Sequence, residues 1–151
     1  MKKLFNILFA TLAVLSIYSC KEDDSLAISQ DQLLRANKWQ LKEIRTTTGN
    51  ITSTDKLLEC ERQSTMDFTD LTKFFSVAYK TESGSCKQTQ SDGIYTFVTG
   101  KSRLLKLVKS SGEKKDYYMF QLDPYFMILQ DTLKNSGDTI QLRLQVFQPT
   151  K

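Results

Sequence analysis

The sequence predicts an all-β domain: an antiparallel up-and-down barrel of about eight strands, preceded by a short helix. From residue 65 onward, apolar and polar residues alternate with a period of two, which is typical of half-buried strands. Short turns that contain Gly, Pro or Asn join these runs, and such turns favour antiparallel pairing of neighbouring strands. Closure into a barrel would leave no exposed strand edge. A flattened sandwich with the same strand order is the alternative.

Residues 1–19 have the form of an export signal. Lys2 and Lys3 precede an apolar run over residues 4–17. This run is shorter than the roughly 20 residues that a membrane-spanning helix needs, and the small residue Ser19 follows it. We therefore expect a signal peptide that is removed after residue 19. Conventional cleavage without lipid attachment and an uncleaved anchor are the alternatives.

Ile17, Ser19 and Cys20 resemble the lipobox of bacterial lipoproteins. The resemblance implies that Cys20 becomes the mature N-terminus and carries a diacylglycerol and an N-acyl chain such as palmitate. Two or more acyl chains hold a protein stably on a membrane. Residues 21–24 are similar to the acidic export tag of Bacteroides-type surface lipoproteins. This implies a lipid-anchored protein of the bacterial outer membrane, displayed at the cell surface, with residues 20–28 as an acidic tether. A plain solvated tether on a lipoprotein that faces the periplasm is the alternative.

The barrel domain is predicted to span residues 29–151 and to begin with a helix of about two turns. Ser29, with Gln32 three residues later, has the spacing of a capping box. The strand that follows places Trp39 and Leu41 on one face. A short helix leading to a strand with an early tryptophan resembles the start of a lipocalin-like barrel, with Asn37 in place of the usual glycine. The resemblance implies that Trp39 closes the floor of the barrel.

The rest of the chain is predicted to contain one long connection and seven further strands. Residues 46–54 are predicted to be a polar loop around Gly49, and residues 54–60 a helical turn capped by Thr54 or Asp55. The connection that contains Gly84 and Cys86 is also predicted to be a loop. The strands are expected at 65–69, 75–80, 94–98, 104–108, 117–122, 125–130 and 140–147.

Two cysteines remain after Cys20 is assigned to the lipid. Cys60 and Cys86 form an even pair in an exported chain, which indicates a disulfide. On the chain-entropy model such a bridge contributes roughly 3–4 kcal/mol to stability. A redox or metal-binding thiol pair is the alternative, but the two residues lack CxxC spacing.

Composition excludes several classes of function. The chain has no histidine, so Ser-His-Asp, Cys-His and histidine-based zinc sites are absent from it. The net charge of +4 includes Lys2 and Lys3, and no basic stripe indicates nucleic-acid binding. We predict no catalytic residues, no metal site and no cofactor, and we expect a monomer that is not an enzyme.

An eight-stranded barrel is either filled by side chains or holds one small ligand. The first hypothesis is a small apolar ligand inside the barrel. Its contacts would come from aromatic residues expected to face inward: Phe75, Tyr79, Tyr95, Phe97, Tyr118 and Phe120, with Phe68 beside them. The second is a filled barrel, which small barrels favour, that binds an envelope protein or glycan through loops or an outer face. That face would carry the expected outward aromatics Tyr117, Phe126 and Phe147.

Overall fold

A computed structural model describes residues 24–68, 70–98, 101–134 and 140–150 of the chain. The predicted signal peptide, the lipid site at Cys20 and residues 21–23 lie outside this part. Helix α1 (Asp24–Arg35) leads to nine strands in the described residues: β1 (Lys38–Thr48), β2 (Ile51–Asp55), β3 (Thr65–Asp67), β4 (Lys73–Glu82), β5 (Ser85–Val98), β6 (Lys101–Lys109), β7 (Lys114–Leu122), β8 (Met127–Lys134) and β9 (Ile140–Pro149). One 3₁₀ turn, Glu61–Gln63, precedes β3.

The strands form one antiparallel sheet that closes on itself. From β3 to β9 each strand pairs with the next along the chain, and β9 pairs with β1 from Trp39 to Thr48. β2 and β3 both pair with the other edge of β1, β2 at residues 44–48 and β3 at residues 38–40. They therefore occupy a single position, and the barrel has eight positions. The predicted eight-stranded, closed antiparallel barrel with a short N-terminal helix is confirmed.

Helix α1 is longer than predicted. It has 12 residues and begins at Asp24, so Ser29 lies inside the helix and is not its cap. Residues 24–28, predicted to be tether, are helical, because this stretch contains no Gly or Pro to stop a helix. Within the described ranges, no helix is both long and apolar enough to cross a membrane.

The predicted loop at 46–54 and the helical turn at 54–60 are both wrong. β1 continues to Thr48, turns at Gly49 and Asn50, and returns as β2 to Asp55. The β-branched threonines and isoleucine of this stretch favour extended backbone, and this preference outweighs the polar character of the stretch as a whole. Every residue of β2 is exposed, so no alternation marked it as a strand.

The predicted loop around Gly84 is instead a tight hairpin. Glu82 pairs with Ser85, leaving a two-residue turn of Ser83 (φ 52°) and Gly84 (φ 78°). Positive φ at both central residues matches the right-handed twist of the flanking strands. Cys86 therefore lies in β5. The first half of β5 is polar on both faces, which concealed it in the sequence.

A β-bulge in β1 brings two apolar residues to the same side of the sheet. The pairing with β9 shifts between Leu41 and Glu43, where the extra residue Lys42 is inserted. Leu41 then lies opposite Phe147 and Ile44 opposite Gln145. Because a bulge adds one residue to the period of two, Leu41 and Ile44 both line the barrel interior.

The barrel is packed solid at the end where α1 lies. The largest fully buried side chains are Trp39, Phe68, Leu34, Leu105, Met127 and Leu129. The indole N–H of Trp39 donates to the backbone oxygen of Leu34 at 2.8 Å, which joins the first strand to the end of α1. Phe68 packs edge-on against Tyr95 with ring centroids 5.1 Å apart. These contacts form the floor of the barrel, with Trp39 in the place that the resemblance implies.

Candidate functional site

The other end of the barrel holds a cavity of about 710 Å³. This is the end where the β4–β5 and β6–β7 turns lie. The volume falls within the roughly 300–1,000 Å³ of small-molecule sites. Its lining includes the apolar residues Leu41, Ile44, Leu57, Met66, Phe74, Val77, Ala78, Leu107, Tyr117 and Phe147. The interior is thus filled at one end and open at the other.

The inner wall changes from apolar to charged along the barrel axis. On β7 the inward residues, counted from the floor, are Met119, Tyr117 and Lys115. On β8 the buried residues, in the same direction, are Met127, Leu129 and Asp131. On β9, Arg143 lies two residues beyond Gln145 toward the open end, and both line the cavity. Asp131 pairs with Arg143, and Lys115 lies two residues from Tyr117 on β7 in the direction of the open end, so the charged side chains of the three strands meet toward that end.

Lys115, Asp131 and Arg143 form what we call the cationic cluster. Asp131 is 7% exposed. It accepts a bidentate pair from Arg143, with Nε to Oδ1 at 3.0 Å and Nη2 to Oδ2 at 2.5 Å. Lys115 Nζ lies 3.1 Å from Asp131 Oδ2 and 5.1 Å from the centre of the Tyr117 ring. Burial alone would raise the pKa of Asp131. The hydrogen bonds from Arg143 and Lys115 outweigh it and hold that pKa below its usual range.

The connection between β2 and β3, residues 56–64, forms one side of the cavity. Leu57, Glu61 and Ser64 from this connection line it. The Ser64 hydroxyl accepts a hydrogen bond from the backbone N–H of Tyr79 on β4 at 2.9 Å. A disulfide joins Cys60 to Cys86 of β5, with Cα atoms 6.0 Å apart, so the structure contains the predicted bridge. It ties this wall of the cavity to the β4–β5 hairpin.

Of the six aromatic residues predicted to contact a ligand, Tyr79 belongs to the cavity lining, but the unbroken register of β4 puts its side chain on the same face as Phe75, opposite the inward Phe74. Tyr95 and Phe97 face the interior but belong to the packed floor, where their rings meet edge-on at 6.3 Å. The hydroxyl of Tyr95 donates to Asp31 of α1 at 2.8 Å. Burial, followed by this hydrogen bond, raises the pKa of Tyr95 well above its usual value. The prediction that Tyr95 and Phe97 line the cavity is therefore wrong, although their inward direction is right.

The inward placement of Phe75, Tyr118 and Phe120 is wrong. Their side chains are 42%, 40% and 53% exposed. The neighbours Phe74, Tyr117 and Met119 are the buried residues. Two adjacent aromatics fit either register of a period-two pattern, so the sequence alone did not separate inner from outer positions.

The aromatic residues predicted to face outward also need correction. Tyr117 and Phe147 are 5% and 3% exposed, and both line the cavity. Phe126 is half-buried just before β8. The cationic cluster was missed as well. Its sequence signal is a charged residue two positions beyond the inward Tyr117 on β7, Leu129 on β8 and Gln145 on β9. That signal can be interpreted only once the register of all three strands is known.

Comparisons with known proteins add a distant likeness. No protein-family model matches the chain, and no curated protein matches it. Among solved structures, the chain resembles that of the siderocalin Ex-FABP, which is described as functioning through dual ligand specificities. The TM-score is 0.47 and the identity 10%, over 78% of this chain and 74% of that chain. A likeness at this level assigns no ligand to the chain. In the described residues, no group of three or more His, Cys, Asp or Glu side chains is placed to hold a metal ion.

Proposed function

We propose that the protein is a non-enzymatic binding protein that holds a small, largely apolar molecule in the open half of its barrel. The observation that carries this proposal is the 710 Å³ cavity, whose deeper wall is formed by buried apolar side chains. Phe74, Leu107 and Phe147 on that wall are each less than 5% exposed and are held by the barrel strands. A rigid apolar surface at the bottom of a cleft is the usual form of a ligand site.

The apolar wall offers enough stabilisation for useful affinity. Each methylene that leaves water contributes about 0.8 kcal/mol. A chain of about seven methylenes therefore gains roughly 5–6 kcal/mol before the cost of association is subtracted.

We also propose that the chain is held at the outer membrane through lipid on Cys20 and is displayed at the cell surface. The support is the lipobox resemblance of residues 17–20 and the acidic run that follows. The binding domain would then remain at the envelope while its cavity exchanges ligand with the surroundings.

Native mass spectrometry of the exported full chain, extracted in detergent-free nanodiscs, tests the proposed function. We expect a bound molecule that leaves on denaturation and an acyl mass that stays on the N-terminal Cys20 peptide. Ser91→Phe, which adds a ring to the cavity lining, should abolish the non-covalent adduct. Gln90→Phe adds the same ring at an exposed position of β5 and should retain it.

Two results would contradict this function. An adduct that persists in Ser91→Phe would place the ligand outside the barrel. A chain that carries no adduct and takes up none from a lipid extract would argue against ligand binding altogether. An unmodified Cys20 would contradict the proposed lipid anchor but leave the proposed ligand binding in the cavity untouched.

A second candidate function is binding of an envelope protein or glycan through the outer face. Phe75, Phe120 and Tyr125 favour it, because their side chains are 42%, 53% and 73% exposed. The filled interior that accompanied this hypothesis is wrong for the open half of the barrel. Substitution of Phe120 by Ser should reduce such binding and leave the cavity adduct intact.

A further inference from the structure

We propose that the ligand is an amphipathic monoanion, with a single carboxylate head on Lys115 and Arg143 and an apolar chain on the deeper wall. This inference rests on the proposed function and names the chemistry of the same cavity. It is carried by the charge balance, the hydrogen-bonding capacity and the position of the cationic cluster.

The cluster has more positive than negative charge inside the barrel. Lys115 and Arg143 are two cations, and both converge on the one carboxylate of Asp131. Their side chains are only 34% and 26% exposed. A cation that has lost much of its water needs anionic partners. Within the cluster, one negative charge between two cations leaves an excess of one positive charge. Asp55 also acts on Arg143, but it is an exposed residue of β2, so solvent weakens its effect.

The two cations, rather than Asp131, face the cavity. Lys115 and Arg143 are among its lining residues, and the nearly buried Asp131 is not. Asp131 takes two of the five N–H donors of Arg143 and one of the three of Lys115. Lys115 also interacts with the hydroxyl of Tyr117, and the described contacts leave three N–H donors of Arg143 for a bound molecule. A carboxylate fits a guanidinium beside an ammonium well, because each of its oxygens accepts from a separate donor.

The acids at the mouth argue for a single charge on the head group. Glu82 pairs with Lys87, and Glu113 pairs with Lys109 at 2.7 Å. Glu61 accepts a hydrogen bond from the backbone N–H of Leu58 at 3.0 Å. Asp55 lines the cavity, and within the described residues its carboxylate accepts one long hydrogen bond, of 3.4 Å, from the Thr46 hydroxyl. Asp131 is the main cause that raises the pKa of Arg143, and Asp55 adds to it from a second direction. The negative charge of Asp55 repels a second negative charge on the ligand, so a carboxylate is preferred to a dianionic phosphate.

The position of the cluster sets the orientation of the ligand. The charged residues lie toward the open end, while Phe74, Leu107 and Phe147 lie on the apolar wall. A molecule with its head on Lys115 therefore directs its chain toward the floor. Both ends of the molecule then have complementary surroundings.

Equilibrium dialysis of the full chain in nanodiscs tests the head-group chemistry. The probes are labelled octanoate, octanol and octyl phosphate, with empty nanodiscs subtracted. We expect octanoate to bind about tenfold more tightly than octanol, the size of one charge-assisted hydrogen bond. Octyl phosphate should bind more weakly than octanoate. Lys115→Met should remove the preference for octanoate and leave octanol binding unchanged.

Matched variants keep this test specific. Lys114→Met changes the neighbouring exposed lysine and should alter neither affinity. Lys115→Arg keeps the charge and should retain the octanoate preference. Equal binding of octanoate and octanol, unaffected by Lys115→Met, would overturn the anionic head while the binding function stands. Tighter binding of octyl phosphate would overturn the monoanion. If no probe binds above empty nanodiscs, the proposed function itself fails for single-chain amphipaths.

Discussion

Asp131 shows how a single residue controls the interior of this barrel. Its carboxylate is almost fully removed from water, and both of its oxygens accept hydrogen bonds from cations. These bonds lower the pKa of Asp131 in spite of its burial. The residue therefore stabilises the fold as an anion and also holds Lys115 and Arg143 at the cavity wall.

Replacing Asp131 by Asn should destabilise the protein by about 2–3 kcal/mol near neutral pH. Breaking a fully buried ion pair costs roughly 3–5 kcal/mol, and here the cations keep about a quarter to a third of their exposure. The pKa of Asp131 is lowered on folding from an unfolded value of about 3.9. Its contribution is thus present above that pH and is lost as the pH falls through the lower folded pKa. Urea unfolding of the wild type and of Asp131→Asn near pH 7 and near pH 3 measures the free energy that the carboxylate contributes.

Between about pH 7 and about pH 3, the free energy of unfolding of Asp131→Asn should therefore fall less than that of the wild type. Asp116→Asn, at an exposed position of β7, is the control and should follow the wild type at both. An Asp131→Asn curve parallel to that of the wild type would show that the carboxylate is not anion-stabilised in the folded state.

Which residues face inward was only partly predictable. The alternation of Tyr95 and Phe97 was clear, and both do face the interior. At Phe74–Phe75 and Tyr117–Tyr118 the register was ambiguous, because either residue of each pair satisfies an apolar face. In each pair only one residue is buried. Which one it is depends on pairing with strands that are distant in the sequence.

At the scale of elements, the connection over residues 56–64 is the part of the barrel that departs most from regular pairing. It leaves β2 at Asp55 and rejoins the sheet at Thr65, with a single 3₁₀ turn between. The disulfide from Cys60 to Cys86 spans 26 residues and holds this connection against the β4–β5 hairpin. Residues of both elements line the cavity, so the bridge supports one wall of the binding site.

Replacing both Cys60 and Cys86 by Ser should lower the free energy of unfolding by about 3.5 kcal/mol, the chain-entropy value for a loop of this length. Octanoate should also bind more weakly, because the cavity wall loses its tether. Urea unfolding and dialysis measure the two effects. Wild-type protein kept reduced should match the double variant. If reduced and oxidised proteins unfold at the same urea concentration and bind octanoate equally, the bridge supports neither the fold nor the site.

The sequence predicted elements well where one face is apolar and the other polar. The strands from β6 to β9 have this pattern, and all of them form. β2 and the first half of β5 do not, since one is exposed throughout and the other presents Thr89 and Ser91 to an open cavity. Polar residues on the inner face of a strand are consistent with a barrel that is not filled at that level.

At the scale of the whole molecule, closure and filling are separate properties of the barrel. Closure follows from eight strand positions whose first and last members pair; the sequence favoured it but left a flattened sandwich as an alternative. Filling depends on which side chains meet across the interior. Lys115, Asp131 and Arg143 come from three strands and meet only after the register is set, so no local pattern showed the open half or its charge.

The most direct test of ligand binding inside the barrel is photocrosslinking with an octanoate that carries a diazirine at the end of its chain. The labelled peptides of the nanodisc-bound full chain would be mapped by mass spectrometry. The apolar wall predicts labelling at Phe74, Leu107 or Phe147, and competition by unlabelled octanoate. Labelling confined to Phe75 or Phe120 on the outer face, or labelling that octanoate does not displace, would contradict a ligand site inside the barrel.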